Sequence, residues 1–282
     1  MRKTAALVLA ALMVLVLLPP AKAQAATDYS WVRVKLTTNN ATTLNFYVSG
    51  AYFIEQSGAE FTGGMLTVSV SGSQMTVTHS VDGLLYTGKT VTICRVRVDR
   101  TAGYMVLNGR NYLGHFALKL TSSGYIQVVN HVPMAHYLYG VVGFEMNNTY
   151  PLDALKAQAI AAKGYVMNQM GGSGDYDIGD TSAEQVYKGY GSSYTNVMNA
   201  VDSTLNEVLT VNGSILRSYF AASNGGETNL PSYAWSGRSS AGYAIAIDDY
   251  DFANTLSLSE KRRIPLGPVG AYSGWIRFIR IF

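Results

Sequence analysis

Apolar and polar residues alternate strictly along Val32-Arg33-Val34-Lys35-Leu36, along Leu66-Thr67-Val68-Ser69-Val70, and from Cys94 to Val98. A period of two places successive side chains on opposite faces. These runs, separated by Gly, Asn and Ser clusters, therefore predict half-buried antiparallel strands. Tyr112 to Leu120 and Tyr125 to Val129 predict a further hairpin turned at Ser122-Ser123-Gly124. Near Pro133 the period changes. Met134 to Val142 predicts a short helix with Tyr137, Leu138, Val141 and Val142 on its apolar side, and residues 143–151 a loop. Pro151 suits the first turn of a long helix, where its missing N–H costs nothing, and Asp153 complements the positive helix start. Leu152, Leu155, Ala159, Ala162 and Val166 recur at spacings of three and four as one buried stripe, and Gly171-Gly172 ends the helix. Tyr194 to Thr204 predicts another helix with Val197, Met198 and Val201 inward. Glu207 to Leu216 reads as a hairpin on a type I′ Asn212-Gly213 turn, and Tyr219 to Ser223 as a strand. The expected fold class is α+β: an antiparallel β-rich region over 26–130, then a mixed helix and strand region over 131–255 built around the long helix.

The two ends differ from this body. Arg2 and Lys3 precede a 14-residue apolar run from Ala5 to Leu18, then Pro19-Pro20 and two A-x-A sites in Ala21-Lys22-Ala23-Gln24-Ala25. That layout is a secretory signal peptide over residues 1–25, the run being shorter than the ~18 residues of a spanning helix. An uncleaved N-terminal membrane anchor is the alternative. The expected product is secreted or held at the cell envelope. Residues 256–282 form an atypical basic segment, with Lys261, Arg262, Arg263, Arg277 and Arg280 against Glu260.

Charge then narrows the function classes. The formal charge of +3 arises from 21 Lys and Arg against 18 Asp and Glu. Without Arg2, Lys3 and Lys22 the balance is 18 against 18, which offers no basic footprint for nucleic acid. Cys94 is the one cysteine of the 282 residues, so no internal disulfide forms, and its strand-like setting reads as a small apolar filler. His79, His115, His131 and His136 stand in no metal-ligand spacing. No G-x-S-x-G elbow, phosphate loop or dinucleotide fingerprint occurs. Glu145 and Asp180, each beside glycine and aromatic residues, are the acidic candidates.

Five stretches then carry a resemblance. Tyr137-Leu138-Tyr139-Gly140-Val141-Val142-Gly143-Phe144-Glu145-Met146 is followed by Tyr150-Pro151-Leu152-Asp153-Ala154-Leu155-Lys156-Ala157-Gln158-Ala159-Ile160-Ala161-Ala162-Lys163. Asp180-Thr181-Ser182 with Gln185-Val186-Tyr187-Lys188-Gly189 comes next, then Ala200 to Thr204 with Val208 to Thr210 and Asn212-Gly213, then Tyr219 to Thr228. In this order they resemble the stage II sporulation protein D family, also called SpoIID/LytB domains, across roughly residues 85–250.

The resemblance implies an enzyme of bacterial peptidoglycan: a lytic transglycosylase that cuts peptide-free glycan strands between MurNAc and GlcNAc. The catalytic glutamate of the family's E-M-P motif falls on Glu145. Most glycosidases need a second carboxylate as nucleophile or to activate water. Here the C6 hydroxyl of muramic acid is the nucleophile, so one glutamate can give a proton to the leaving oxygen and take one back as a 1,6-anhydro ring closes. Burial beside Phe144, Met146 and Tyr150 is expected to raise its pKa. Gln158, Lys163, Gln185, Tyr187, Ser223, Asn224, Gly225 and Gly226 are the expected substrate-binding residues. Lys163 stands where the family usually has arginine and would act as a point charge, its plain alternative being a solvated helix lysine. For Tyr187 the alternative is core packing, and for the glycines the satisfaction of positive φ.

The chain also departs from the family. Gly179, Ala183 and Glu184 occupy positions where members often carry cysteine and histidine, one branch binding zinc there, so neither metal nor cofactor is expected. Asn147 replaces the proline of the motif and is expected to loosen that loop. The alternative function is a non-catalytic protein that binds wall glycan, or enhances a cell-wall amidase as its partner.

Overall fold

A computed structural model describes residues 27–96, 103–224 and 226–248. The leader, the run from Arg97 to Ala102, Gly225 and everything after Asp248 lie outside the described residues. In chain order the strands are β1 (Trp31–Leu36), β2 (Thr43–Ser49), β3 (Ala51–Ile54), β4 (Glu60–Thr62), β5 (Met65–Ser71), β6 (Gln74–His79), β7 (Gly83–Gly88), β8 (Thr90–Arg95), β9 (Tyr104–Leu107), β10 (Arg110–Tyr112), β11 (His115–Leu120) and β12 (Ile126–Pro133). Then follow α1 (Met134–Glu145), α2 (Leu152–Met167), β13 (Ile178–Gly179), α3 (Thr195–Ser203), β14 (Thr210–Val211), β15 (Ser214–Ile215) and α4 (Pro231–Ala234). The fold is α+β and strand-rich, as the pattern predicts.

One sheet has the order β13-β1-β12-β11-β8-β3-β4 and the other β10-β9-β2-β5-β6-β7. All pairings within them are antiparallel except β1 with β13. The alternation read from the sequence sorts the faces: Val32, Val34 and Leu36 of β1, Leu44, Phe46 and Val48 of β2, and Phe116 and Leu118 of β11 are buried. The inner faces meet where Phe46 stands edge-on to Phe116, ring centres 5.8 Å apart, the arrangement of a β-sandwich. α1 continues directly from β12, and its Tyr137, Leu138, Val141 and Val142 lie in the same core cluster as both sheets. α2 and α3 pack on α1 and on each other. The boundary expected after residue 130 therefore falls inside β12, and the core runs through it.

Several boundaries differ from the sequence reading. β8 ends at Arg95; Val96 follows it as an exposed bend, and Arg97 and Val98 lie outside the described residues. α1 runs on to Glu145, because Gly143 lets Tyr194 lie against that turn and the helix need not break there. Leu152 begins α2 but is 45% exposed, leaving Leu155, Ala159, Ala162 and Val166 as the buried stripe. Tyr219 to Ser223 form no ladder, whereas the expected hairpin does pair as β14–β15, with Asn212 and Gly213 at φ 49 and 77 as its turn requires.

Between β13 and α3 the chain from Asp180 to Gly191 has neither helix nor strand, yet much of it is buried. Side chains hold it instead. The Asp180 carboxylate accepts from the Thr37 N–H at 3.0 Å and its hydroxyl at 2.6 Å. Gln185 accepts from the Tyr137 hydroxyl at 2.9 Å and donates to the Ala162 carbonyl at 3.1 Å, tying the strap to α1 and α2. The Tyr187 hydroxyl donates to Asn130 Oδ1 at 2.9 Å, while Asn130 Nδ2 donates to the Leu113 and His115 carbonyls at 2.9 and 3.0 Å. Tyr190 N–H donates to the Asn111 carbonyl at 2.6 Å. The strap lies so close to α1 that a Cβ at Gly140 would sit 2.5 Å from the Gly189 carbonyl and 2.6 Å from the Tyr187 ring.

Two substitutions test this arrangement by urea unfolding. In an ordinary helix Gly→Ala gains up to ~1 kcal/mol, but Gly140→Ala should destabilise by about 1–3 kcal/mol because the methyl must displace the strap. Gly172→Ala, whose Cβ would meet nothing within 4 Å, serves as the neutral control. Tyr187→Phe leaves Asn130 Oδ1 buried without a donor and should cost about 1–3 kcal/mol. Tyr47→Phe, at an exposed tyrosine, should change little.

Candidate active site

Glu145 is the last residue of α1 and is solvent-exposed. Its pKa is raised from the ordinary 4.5 because protein around the carboxyl removes part of its water. The helix adds to this in principle, since the unpaired carbonyls of a C-terminus carry partial negative charge and disfavour a carboxylate. The burial expected from its neighbours is only partial. Phe144 and Tyr150 are each 50% exposed, and Met146 alone of the three packs against the core. Lys188, carried on the strap, holds its ammonium 5.9 Å from the centre of the Phe144 ring. The strap thus brings a cation beside the residue that precedes Glu145.

The loop after Glu145 is ordered by its own asparagines. Asn147 Oδ1 accepts from Thr149 N–H at 3.0 Å and from its hydroxyl at 2.9 Å, and the Tyr150 N–H donates to the Asn147 carbonyl at 3.0 Å. Asn148 Oδ1 accepts from the Val197 N–H at 3.1 Å, satisfying one of the open donors at the start of α3. Asn147 in place of proline therefore does not loosen the loop: an Asx turn replaces the fixed proline φ.

The expected substrate-binding residues divide. Gln185 and Tyr187 are fully engaged inside the strap, with Tyr187 between the rings of Tyr137 and Tyr112 at 5.2 and 5.8 Å, so neither presents a face to a ligand. Core packing was the plain alternative for Tyr187, and the structure follows it. Lys163 is 2% exposed and donates to the Thr204 and Leu205 carbonyls at 2.5 and 2.7 Å. It is therefore not a solvated lysine; its charge closes the negative end of α3. Desolvation lowers its pKa. Asp180, the second acidic candidate, is committed to Thr37. Gln158 remains: it is half-buried on α2, and its Nε2 is buried with no hydrogen-bond partner among the described residues.

The last of the five stretches, Tyr219 to Thr228, turns on itself. Asn224 Oδ1 accepts from the Gly226 N–H at 2.8 Å and its Nδ2 donates to Asp248 at 2.8 Å, with Gly226 at φ 90. Ser223 is exposed and Gly225 lies outside the described residues. Sequence reasoning quoted Lys188 within the Gln185–Gly189 stretch but gave it no role. It also passed over Glu184 as an acid. The Glu184 charge reaches both Tyr137 and Tyr165, whose pKa values rise chiefly through burial, and the Glu145 charge reaches Tyr137 as well.

Zinc does not fit the residues present. Gly179 offers no side chain, its N–H donates to the Glu184 carboxylate at 2.5 Å, and no three His, Cys, Asp or Glu among the described residues are grouped to hold a metal.

Residues 122–211 match the family model described as SpoIID, Stage II sporulation protein. The chain is 39% identical over 128 residues to the Amidase enhancer of Bacillus subtilis, a match covering 44% of this chain and 17% of that protein. It is 34% identical over 125 residues to Stage II sporulation protein D of Bacillus subtilis, covering 38% of this chain and 36% of the relative. An uncharacterized protein of Brachyspira hyodysenteriae is 33% identical over 135 residues, covering 47% of this chain and 36% of the relative. The chain thus matches about a third or less of each relative's length. The chain therefore carries a SpoIID domain over residues 122–211, the span that contains α1, α2, the strap and α3.

Proposed function

We propose that this chain is an exported lytic transglycosylase that cleaves the MurNAc–GlcNAc bond of peptide-free glycan strands. A cell-wall role is supported by the family and by the relatives named for sporulation and for amidase enhancement. The observation that carries the finer reading is Glu145: an exposed carboxyl, at a helix end, whose pKa is raised. A general acid must hold its proton until the leaving oxygen takes it, and a raised pKa shifts the carboxyl in that direction. Glu145 gives its proton to the glycosidic oxygen as the C1–O4 bond breaks, and GlcNAc leaves as an alcohol. The muramic C6 hydroxyl bonds to C1, its proton passes to the Glu145 carboxylate, and the 1,6-anhydro product leaves the enzyme in its starting state. The second carboxylate of an ordinary hydrolase is unnecessary, and Asp180 is held away from that task by Thr37.

A second reading rests on the 39% identity to the Amidase enhancer. In it the same surface binds wall glycan, or serves a cell-wall amidase, without cleaving.

Purified mature protein, incubated with peptide-free strands, should yield ends of 1,6-anhydro-muramic acid by mass spectrometry. Glu145→Gln should lower cleavage by at least ~10²-fold while folding and glycan binding persist. Because the acting form is the protonated one, the wild-type rate should fall as pH rises through the raised pKa, and residual cleavage by Glu145→Gln should lack that limb. Wild-type speed in the variant removes Glu145 from the mechanism. Binding without cleavage by both proteins favours the second reading.

A chelator should leave cleavage unchanged, and metal analysis should find no stoichiometric zinc. One tightly held zinc per chain would overturn this expectation.

A further inference from the structure

Away from the strap, three separate stretches of chain bring aromatic rings together without burying them in the core. Tyr219 lies at the centre. Its ring stacks on Trp235 at 4.5 Å and 24°, meets Tyr165 of α2 edge-on at 6.0 Å, and lies 6.0 Å from Tyr243. Trp235 keeps 44% of its surface exposed, although indole is among the costliest groups to leave in water. Tyr219, Trp235 and Tyr243 stand outside the core cluster, so packing of the sandwich and helices does not require them.

A guanidinium is built into this group. Arg217 lies over the Tyr165 ring, 5.3 Å from its centre, and its Nη2 donates to Gln169 Oε1 at 3.0 Å and the Asn168 carbonyl at 3.3 Å. The Tyr243 hydroxyl donates to the Arg217 carbonyl and fixes the backbone behind it. Nε and Nη1 have no hydrogen-bond partner among the described residues, so one edge of a positioned fork is free. An arginine oriented by stacking and by one nitrogen presents the rest to a carboxylate with little further ordering.

We infer that Arg217 with the Tyr219–Trp235 stack forms a subsite for an acidic sugar, the rings taking a pyranose face and the guanidinium its carboxylate. The inference rests on the glycan reading proposed above and deepens it. Aromatic faces suit the C–H face of a pyranose, as an apolar body with polar edges. A muramic residue without peptide bears a free lactyl carboxylate; in a peptide-bearing residue that carboxyl is an amide and uncharged. The subsite therefore distinguishes the two by charge. Tyr165, the ring under the Arg217 guanidinium, and Glu145 both act electrostatically on the buried Tyr137.

The test separates binding from cleavage. Full-length Glu145→Gln protein is titrated by calorimetry with three ligands of equal length: peptide-free glycan strands, the same strands with lactyl carboxyls converted to amides, and N-acetylglucosamine oligomers. Arg217→Gln should weaken the first by about 10-fold and leave the other two unchanged, with Arg217→Lys intermediate. Trp235→Ala should weaken all three by about 10-fold, and Trp235→Phe by less, with circular dichroism confirming each fold. Equal weakening of all three ligands by Arg217→Gln, or parental affinity in Trp235→Ala, overturns the subsite. Cleavage assays on wild type decide the role of Glu145 independently of these titrations. Failure of the parent to bind any of the three overturns both the subsite and the glycan reading.

Discussion

A stretch of chain with no helix or strand of its own, Asp180 to Gly191, governs how the helices meet the sandwich. Such a segment cannot satisfy its polar groups by a regular ladder, and in a buried place each unpaired group costs roughly 1–3 kcal/mol. Here the pairing comes from elsewhere: Asn130 in the sheet, Tyr137 on α1, the Ala162 carbonyl on α2 and Thr37 after β1. Each partner belongs to a different element, so the strap fits only when all of them are in place. Buried polar networks of this kind contribute specificity more than net stability, because a half-formed network is worse than an apolar one. Asn130 shows the logic most clearly. It sits in the core-facing row between Val34 and Phe116, where an aliphatic residue would pack well, and all three of its hydrogen bonds are made.

The strap also explains the local chemistry of Glu145. Close approach of the strap to α1 requires glycine at 140, as that of Tyr194 does at 143, and the strap sets Lys188 beside Phe144. The helix can then run to Glu145 and end there, with the carboxyl at the electrically negative terminus. A carboxylate in the first turn would be stabilised; in the last it is not. Partial burial at that helix end raises the Glu145 pKa.

Legibility from the sequence followed the range of the interactions. Period-two runs gave β1, β5 and the β11–β12 hairpin, and the three-and-four spacing gave α2, because those patterns are written by neighbours in the chain. Asn212-Gly213 announced its turn for the same reason. Glu145 stands out in the sequence only through the motif it resembles. Lys163, Gln185 and Tyr187 were placed at the surface of a cleft because polar side chains usually seek one. They are buried because each found a partner twenty or more residues away, Lys163 at Thr204 and Tyr187 at Asn130. No local pattern encodes such a pairing. Leu152 fits the helical stripe by spacing yet stays exposed, since the stripe says which face is apolar and not how far the neighbouring elements extend.

The position of β1 has a consequence in time. It is the first strand of the described chain, and its antiparallel partner β12 pairs Trp31 with Pro133, about a hundred residues later; its other neighbour, β13, follows later still. A chain that emerges N-terminus first, from a ribosome or through a translocation channel, must therefore hold β1 unpaired on both edges while all the strands between are made. Long-range pairing of this kind slows folding and leaves edges open to wrong partners. The Arg33 and Lys35 charges, set between Val32, Val34 and Leu36, oppose such mispairing while the strand waits.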